Sequence, residues 1–316
     1  FTGLLTFSGG TLAGAGTVSV SGAANWTAGT MTGAGRSQFN GDLTLSGAGL
    51  KDISNGRTLA TAGTTTWTNT ASGGGRIRTG GGIAINNSGS WLDQQAFDGS
   101  ISQDFGGAAS AFNNTGSYTK SGATTTAIGI AFNNTSSGAG TGVVHLDAGN
   151  LRLTGGGTSN GSFNGAAGTA LVFGGNHSLL AGSSVNTAGT VEFISGTSTV
   201  AGSFNAGTST TFSGGTTTFS GTVSGVGSTI VASGGTGVFN NTQAIAVSAL
   251  QVSGGALTFN NTGGTTTSTL NLGGGFLSGT STVTVSGATQ WTAGTLTGAG
   301  LTQLNGDVTL SGAGLK

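Results

Sequence analysis

Apolar residues fall at i and i+2 in short segments along the whole chain: Thr17 to Val20, Leu43 to Leu45, Ile83 to Ile85, Ile128 to Phe132, Val144 to Leu146, Leu151 to Leu153, Val191 to Phe193, Leu250 to Val252 and Leu270 to Leu272. A period of two places these side chains on one face of strands of about 4–5 residues. Glycine pairs or triplets separate the strands, as at Ser8-Gly9-Gly10, Ser253-Gly254-Gly255 and Gly273-Gly274-Gly275. The unit Leu5-Thr6-Phe7-Ser8-Gly9-Gly10-Thr11-Leu12 returns as Leu250-Gln251-Val252-Ser253-Gly254-Gly255-Ala256-Leu257, which reads as strand, glycine corner, strand.

A finer register overlies this alternation. Phe112-Asn113-Asn114-Thr115 recurs as Phe132-Asn133-Asn134-Thr135, and Phe239-Asn240-Asn241-Thr242 as Phe259-Asn260-Asn261-Thr262, in both cases 20 residues later. That interval suits one coil of a parallel β-solenoid of roughly 20–25 residues, in which like residues stack about 4.8 Å apart. Asn113, Asn133, Asn240 and Asn260 are then expected to form ladders at corners, and Phe112 over Phe132 and Phe239 over Phe259 to stack inside. An antiparallel sandwich explains alternation and turns but gives no reason for the recurring tetrapeptide.

Residues 274–316 repeat residues 9–51 without a gap, so Trp26 and Trp291, like Lys51 and Lys316, are 265 positions apart. The chain, which opens on Phe1, reads as a window on a tandem array, and 1–316 as a single continuous solenoid. Arrays of this kind are chiefly a way of making length. Residues 86–110 interrupt the pattern with Asp93, Asp98, Asp104, three Gln and three aromatic residues, and are expected to form a loop or lateral protrusion.

Composition sharpens this picture. The 67 Gly, with abundant Ser, Thr and Asn, disfavour helix, while the absence of Pro and the 16 charged residues disfavour disorder. Zero net charge removes the electrostatic attraction that nucleic acid or anionic lipid would need, so no nucleic-acid partner is expected. No apolar run suggests membrane insertion in this segment. Without Cys there is no disulfide or thiolate metal site, and stability rests on stacking and hydrogen bonding.

The Gly/Thr/Ser/Asn-rich strands, the L-x-V-S-G-G-x-L corners, the lack of Cys and the long period resemble the β-solenoid stalks of bacterial surface proteins, namely filamentous-haemagglutinin-like exoproteins and the passenger repeats of autotransporter adhesins. Gly41-Asp42-Leu43-Thr44-Leu45-Ser46-Gly47-Ala48-Gly49 is similar to a passenger strand repeat. The resemblance implies a location outside the cell, at the bacterial surface. It also implies a structural or adhesive filament whose partners are further copies of the repeat and surface glycans or matrix.

Candidate chemistry is sparse. A glycosidase or lyase on a β-helix needs carboxylates converging on one groove. Of Asp42, Asp52, Asp93, Asp98, Asp104, Asp147, Glu192 and Asp307, only Asp93, Asp98 and Asp104 lie close in sequence, and they are the sole candidates for a hard cation such as Ca²⁺. Their spacing matches no EF-hand loop and the GGxGxD nonapeptide of calcium-binding solenoids does not occur, so neither metal nor cofactor is expected, and the chain reads as a non-enzyme. A carbohydrate-active β-helix enzyme and an end-to-end fibre subunit are the alternatives. Glu192, Arg152 and His145 alternate with apolar residues and are expected to face solvent. Trp26, Trp67, Trp91 and Trp291 are expected to fill the interior.

Overall fold

The computed structural model describes residues 1–312, and these are all-β with no helix. They divide into two compact units, Phe1–Asn164 and Gly165–Lys316. Each is a parallel β-solenoid.

In the first unit the chain runs repeatedly around three faces. One carries Leu5–Phe7, Ala24–Trp26, Leu43–Leu45, Thr64–Trp67, Ser90–Asp93, Ser117–Lys120 and Val143–Leu146. A second carries Thr11–Leu12, Gly29–Thr32, Lys51–Ser54, Ile77–Thr79, Gly99–Gln103, Thr125–Ile128 and Asn150–Leu153. The third runs from Thr17–Val20 to Ala131–Asn134. Paired strands are separated by a full coil, so every pairing is parallel, as in Leu5↔Ala24 and Ala24↔Leu43, each 19 positions apart. The coil lengthens farther along, with Trp91↔Tyr118 at 27 positions. The extra residues go into excursions at corners, between strands at 68–76, 94–98, 104–110 and 135–142.

Residues 86–110 therefore do not leave the solenoid. Ala84–Asn87, Ser90–Asp93 and Gly99–Gln103 are in-register strands of a coil, and only 94–98 and 104–110 bulge, exposing Phe97 and Phe105. The apparent loss of pattern arose because some inward positions of this coil, Asn87, Asp93 and Gln95, are polar.

The second unit has shorter, more uniform coils: Leu171↔Val191, Val191↔Thr210 and Thr210↔Ile230 are 20, 19 and 20 positions apart. From Ile245 onward, long strands such as Thr265–Gly279 continue through corners that elsewhere interrupt the sheet. Its core is a column of rings. Phe173, Phe193 and Phe212 stack with centroids 5.4 and 5.7 Å apart, and Phe219, Phe239 and Phe259 at 4.7 and 5.2 Å. Like residues recur at one inward position of successive coils, so rings meet face to face, each fully buried ring contributing about 1.5–3 kcal/mol.

Corners impose glycine where coils approach most closely. Gly196 and Gly215 have φ of 76° and 70°, and a Cβ on either would overlap the carbonyl of the glycine one coil below, Gly175 or Gly196.

The 265-residue repeat is one of structure as well as sequence. Leu5↔Ala24, Leu12↔Met31, Val18↔Ser37 and Trp26↔Leu45 return as Leu270↔Thr289, Leu277↔Leu296, Val283↔Thr302 and Trp291↔Leu310, every partner shifted by 265. Lys316, the counterpart of Lys51, lies outside the described residues.

Candidate functional site

Strand phase decides which side chains can do chemistry. His145 is exposed, and Arg152 and Glu192 are half-buried on outward positions. Phe112 lies on Phe132 with centroids 5.3 Å apart, and Asn133 Nδ2 donates to Asn113 Oδ1 at 2.8 Å. Asn260 Nδ2 donates to Asn240 Oδ1 at 2.9 Å, beside the Phe239–Phe259 stack. These ladders run along the outer surface. A second ladder, not read from the sequence, runs inside: Asn87 Nδ2 donates to Asn114 Oδ1 and Asn114 Nδ2 to Asn134 Oδ1, both at 2.8 Å, with all three residues fully buried.

The three carboxylates considered for a cation do not converge. Asp93 is buried, Asp98 Oδ1 accepts from the Thr125 amide at 2.9 Å, and Asp104 pairs with Arg76 at 3.2 Å. Among the described residues no group of three His, Cys, Asp or Glu side chains is placed to hold a metal. Other acids are engaged locally: Asp52 takes two 2.8 Å bonds from Arg78, Asp42 accepts from the Thr64 amide, and Glu192 from Ser213 Oγ. Two clefts of about 450 and 490 Å³, one along corners 181–184, 201–203 and 220–222, the other around 260–264 and 280–282, are lined by Gly, Ser, Thr, Asn and Ala, with Gln243 in the first. Neither offers a titratable group for proton transfer.

His177 is buried and lies edge-on to Phe173, with Nε2 3.1 Å from the Gly174 carbonyl. Trp26, Trp67 and Trp91 fill the interior, whereas Trp291 is half-buried. Thr64–Trp67 alternates outward and inward, so its threonines make no continuous outer ladder.

The unexpected chemistry lies within the first unit. Four charged side chains point inward: Lys51, Arg57, Asp93 and Lys120 are all at most 1% exposed. Backbone carbonyls at the corners supply what acidic side chains do not. Lys51 Nζ donates to Ser46, Gly49 and Thr27 carbonyls at 2.8, 3.1 and 3.3 Å, and burial lowers its pKa to about 8. Arg57 donates to Ser37 Oγ and the Gly14 carbonyl, and burial again lowers its pKa.

Asp93 and Lys120 are directly paired on adjacent strands, with Nζ 3.8 Å from Oδ1. Tyr118 Oη donates to Asp93 Oδ2 at 2.8 Å, and Lys120 Nζ donates to the Gly122 carbonyl at 2.6 Å. Burial raises the Asp93 pKa, against the opposing effects of Lys120, Thr126, Tyr118 and the Gln95 amide. Burial lowers that of Lys120, and burial with the neighbouring carboxylate raises that of Tyr118. The sequence did carry a signal: Asp93 follows Trp91, Lys120 follows Tyr118 and Lys51 precedes Ile53, each by two positions and so on the same face.

No protein-family model, curated protein or solved structure matches the chain.

Proposed function

We propose that this protein is an extracellular structural β-solenoid, a filament or stalk at a bacterial surface that provides length and a surface for attachment or matrix formation. The observation that carries the reading is the identical strand register of residues 5–45 and 270–310. A period that closes on the same coil geometry repeats without a mismatch, and length then scales with gene length. The outer faces support the same role, being ladders of Asn, Thr and Ser with acids tied into local contacts. The stalk and passenger proteins that the sequence resembles supply the surface location and the adhesive part of the proposal.

Electron microscopy of the chain, and of one extended by a further 265-residue period, tests it. The extension is expected to lengthen a rod of constant width by on the order of 60 Å at about 4.8 Å per coil. A shape that thickens or folds back instead would sink the filament reading. Retention on immobilised surface polysaccharide tests adhesion separately, and its absence would leave a spacer alone.

A further inference from the structure

We propose that Lys120 and Asp93 are joined by a side-chain amide, an intramolecular cross-link between adjacent coils of the first unit. The geometry provides the encounter. The two residues are Cα partners on neighbouring parallel strands, both are 0% exposed, and Nζ lies 3.8 Å from Oδ1. Trp91 and Phe112, 5.0 Å apart, and Phe112 and Tyr118, 5.9 Å apart, form an aromatic wall around the inward positions of these coils.

As an ion pair the arrangement is poorly satisfied. Asp93 Oδ1 makes no hydrogen bond, and the Lys120 ammonium, which has three donors, makes one, to the Gly122 carbonyl. Two charges taken out of water need more compensation than a 3.8 Å contact provides. Burial drives both groups towards their neutral forms, the carboxylic acid and the free amine, which are the reacting species. An internal proton transfer from Lys120 to Asp93 produces them with no change in net charge.

The step balances without an added reagent. The Lys120 amine attacks Asp93 Cγ, and the Nζ–Cγ bond forms. The Cγ–Oδ1 bond breaks, and Oδ1 leaves as water carrying the carboxyl proton and one amine proton. Nothing is oxidised or reduced. Tyr118, donating to Oδ2, polarises the carbonyl under attack. The product resolves the unsatisfied groups: the oxygen that leaves is the one without a partner, the remaining carbonyl oxygen keeps its bond from Tyr118, and the remaining N–H faces the Gly122 carbonyl. Lys51 is the internal control, equally buried but held by three carbonyls instead of a carboxyl group.

This inference stands apart from the stalk reading. The test is the mass of the purified, denatured full chain, expected to fall short of the sequence value by one water, about 18 Da. Trypsin is expected to cut after Lys51 but not after Lys120, so that residues 79–152 emerge as one peptide lacking a water. Lys120→Met and Asp93→Ala are expected to show their full sequence masses. A wild-type chain of full mass that is cut after Lys120 overturns the proposal. So does a water loss that survives in Lys120→Met, because it would mark ring closure elsewhere, as at Asp98-Gly99. The wild-type peptide map decides the matter even if a variant does not fold.

Discussion

Substituting Asn114 and Asn113 by alanine, one at a time, separates the inner ladder from the outer with nearly constant chemistry. Each makes two ladder bonds of 2.8 Å, Asn114 with Asn87 and Asn134, and Asn113 with Asn86 and Asn133. They differ in what replaces those bonds. At Asn114, which is fully buried, alanine leaves Asn134 Oδ1 without its donor and withdraws a donor from the Val143 carbonyl at 3.2 Å. Asn87 Nδ2 retains the Ser117 carbonyl at 2.9 Å, which limits the loss on that side. One or two buried groups left unsatisfied cost about 1–3 kcal/mol each, so Asn114→Ala is expected to lose about 3–4 kcal/mol once the vacated volume is included. Asn113 is half-buried on the outer surface, where water takes over both bonds, and its alanine variant should lose about 0.5–1 kcal/mol. Urea unfolding followed by the fluorescence of Trp67 and Trp91, both buried in the same unit, reads the difference. Equal costs for the two variants would refute the reasoning, since burial would then not govern the ladder's strength.

Phe239→Ala removes a ring stacked on Phe219 at 4.7 Å and on Phe259 at 5.2 Å, and should cost about 3–5 kcal/mol in the same denaturant assay. Gly196→Ala is expected to destabilise by about 2–3 kcal/mol, since its φ of 76° and the Gly175 carbonyl both oppose a Cβ, while Gly10→Ala, at φ 79° with no nearby atom, should lose about 1 kcal/mol. Lys51, lowered to about 8 from 10.5, holds fewer protons folded than unfolded between those values, so its contribution makes stability rise with pH across that window, by up to about 3 kcal/mol. The stability of wild type relative to Lys51→Met should therefore increase from pH 8 to pH 10, and a flat difference would show that the Lys51 pKa is not lowered.

The parts of this fold legible from sequence are those in which one physical rule acts alone. Alternation of period two marks strands, and recurrence at 20 residues marks the coil wherever no excursion lengthens it, as between Phe112 and Phe132 or Phe239 and Phe259. Coil length failed as a constant because Trp91 to Tyr118 takes 27 residues, and a fixed interval does not reveal that the surplus sits at 94–98 and 104–110 while the strands keep register. Residues 86–110 looked irregular for a related reason: polarity was equated with exposure, although Asn87, Asp93 and Gln95 are buried.

The deeper omission was the source of partners for buried charge. A reading that pairs acids with bases along the sequence finds none for Lys51 or Arg57, whereas a solenoid turns carbonyls inward at its corners and offers them at Ser46, Gly49 and Gly14. Corner backbone thus takes the place of water around these buried cations. Inward donors to a carboxylate are fewer, Tyr118, Thr126 and the Gln95 amide around Asp93, and burial still raises its pKa, which makes Asp93 the exception among these buried charges. Its Oδ2 accepts from a phenol at 2.8 Å while its Oδ1 completes no hydrogen bond, 3.8 Å from an amine with two donors unused. Of the buried charges in this unit, the Asp93–Lys120 pair is the one that the fold leaves chemically unfinished.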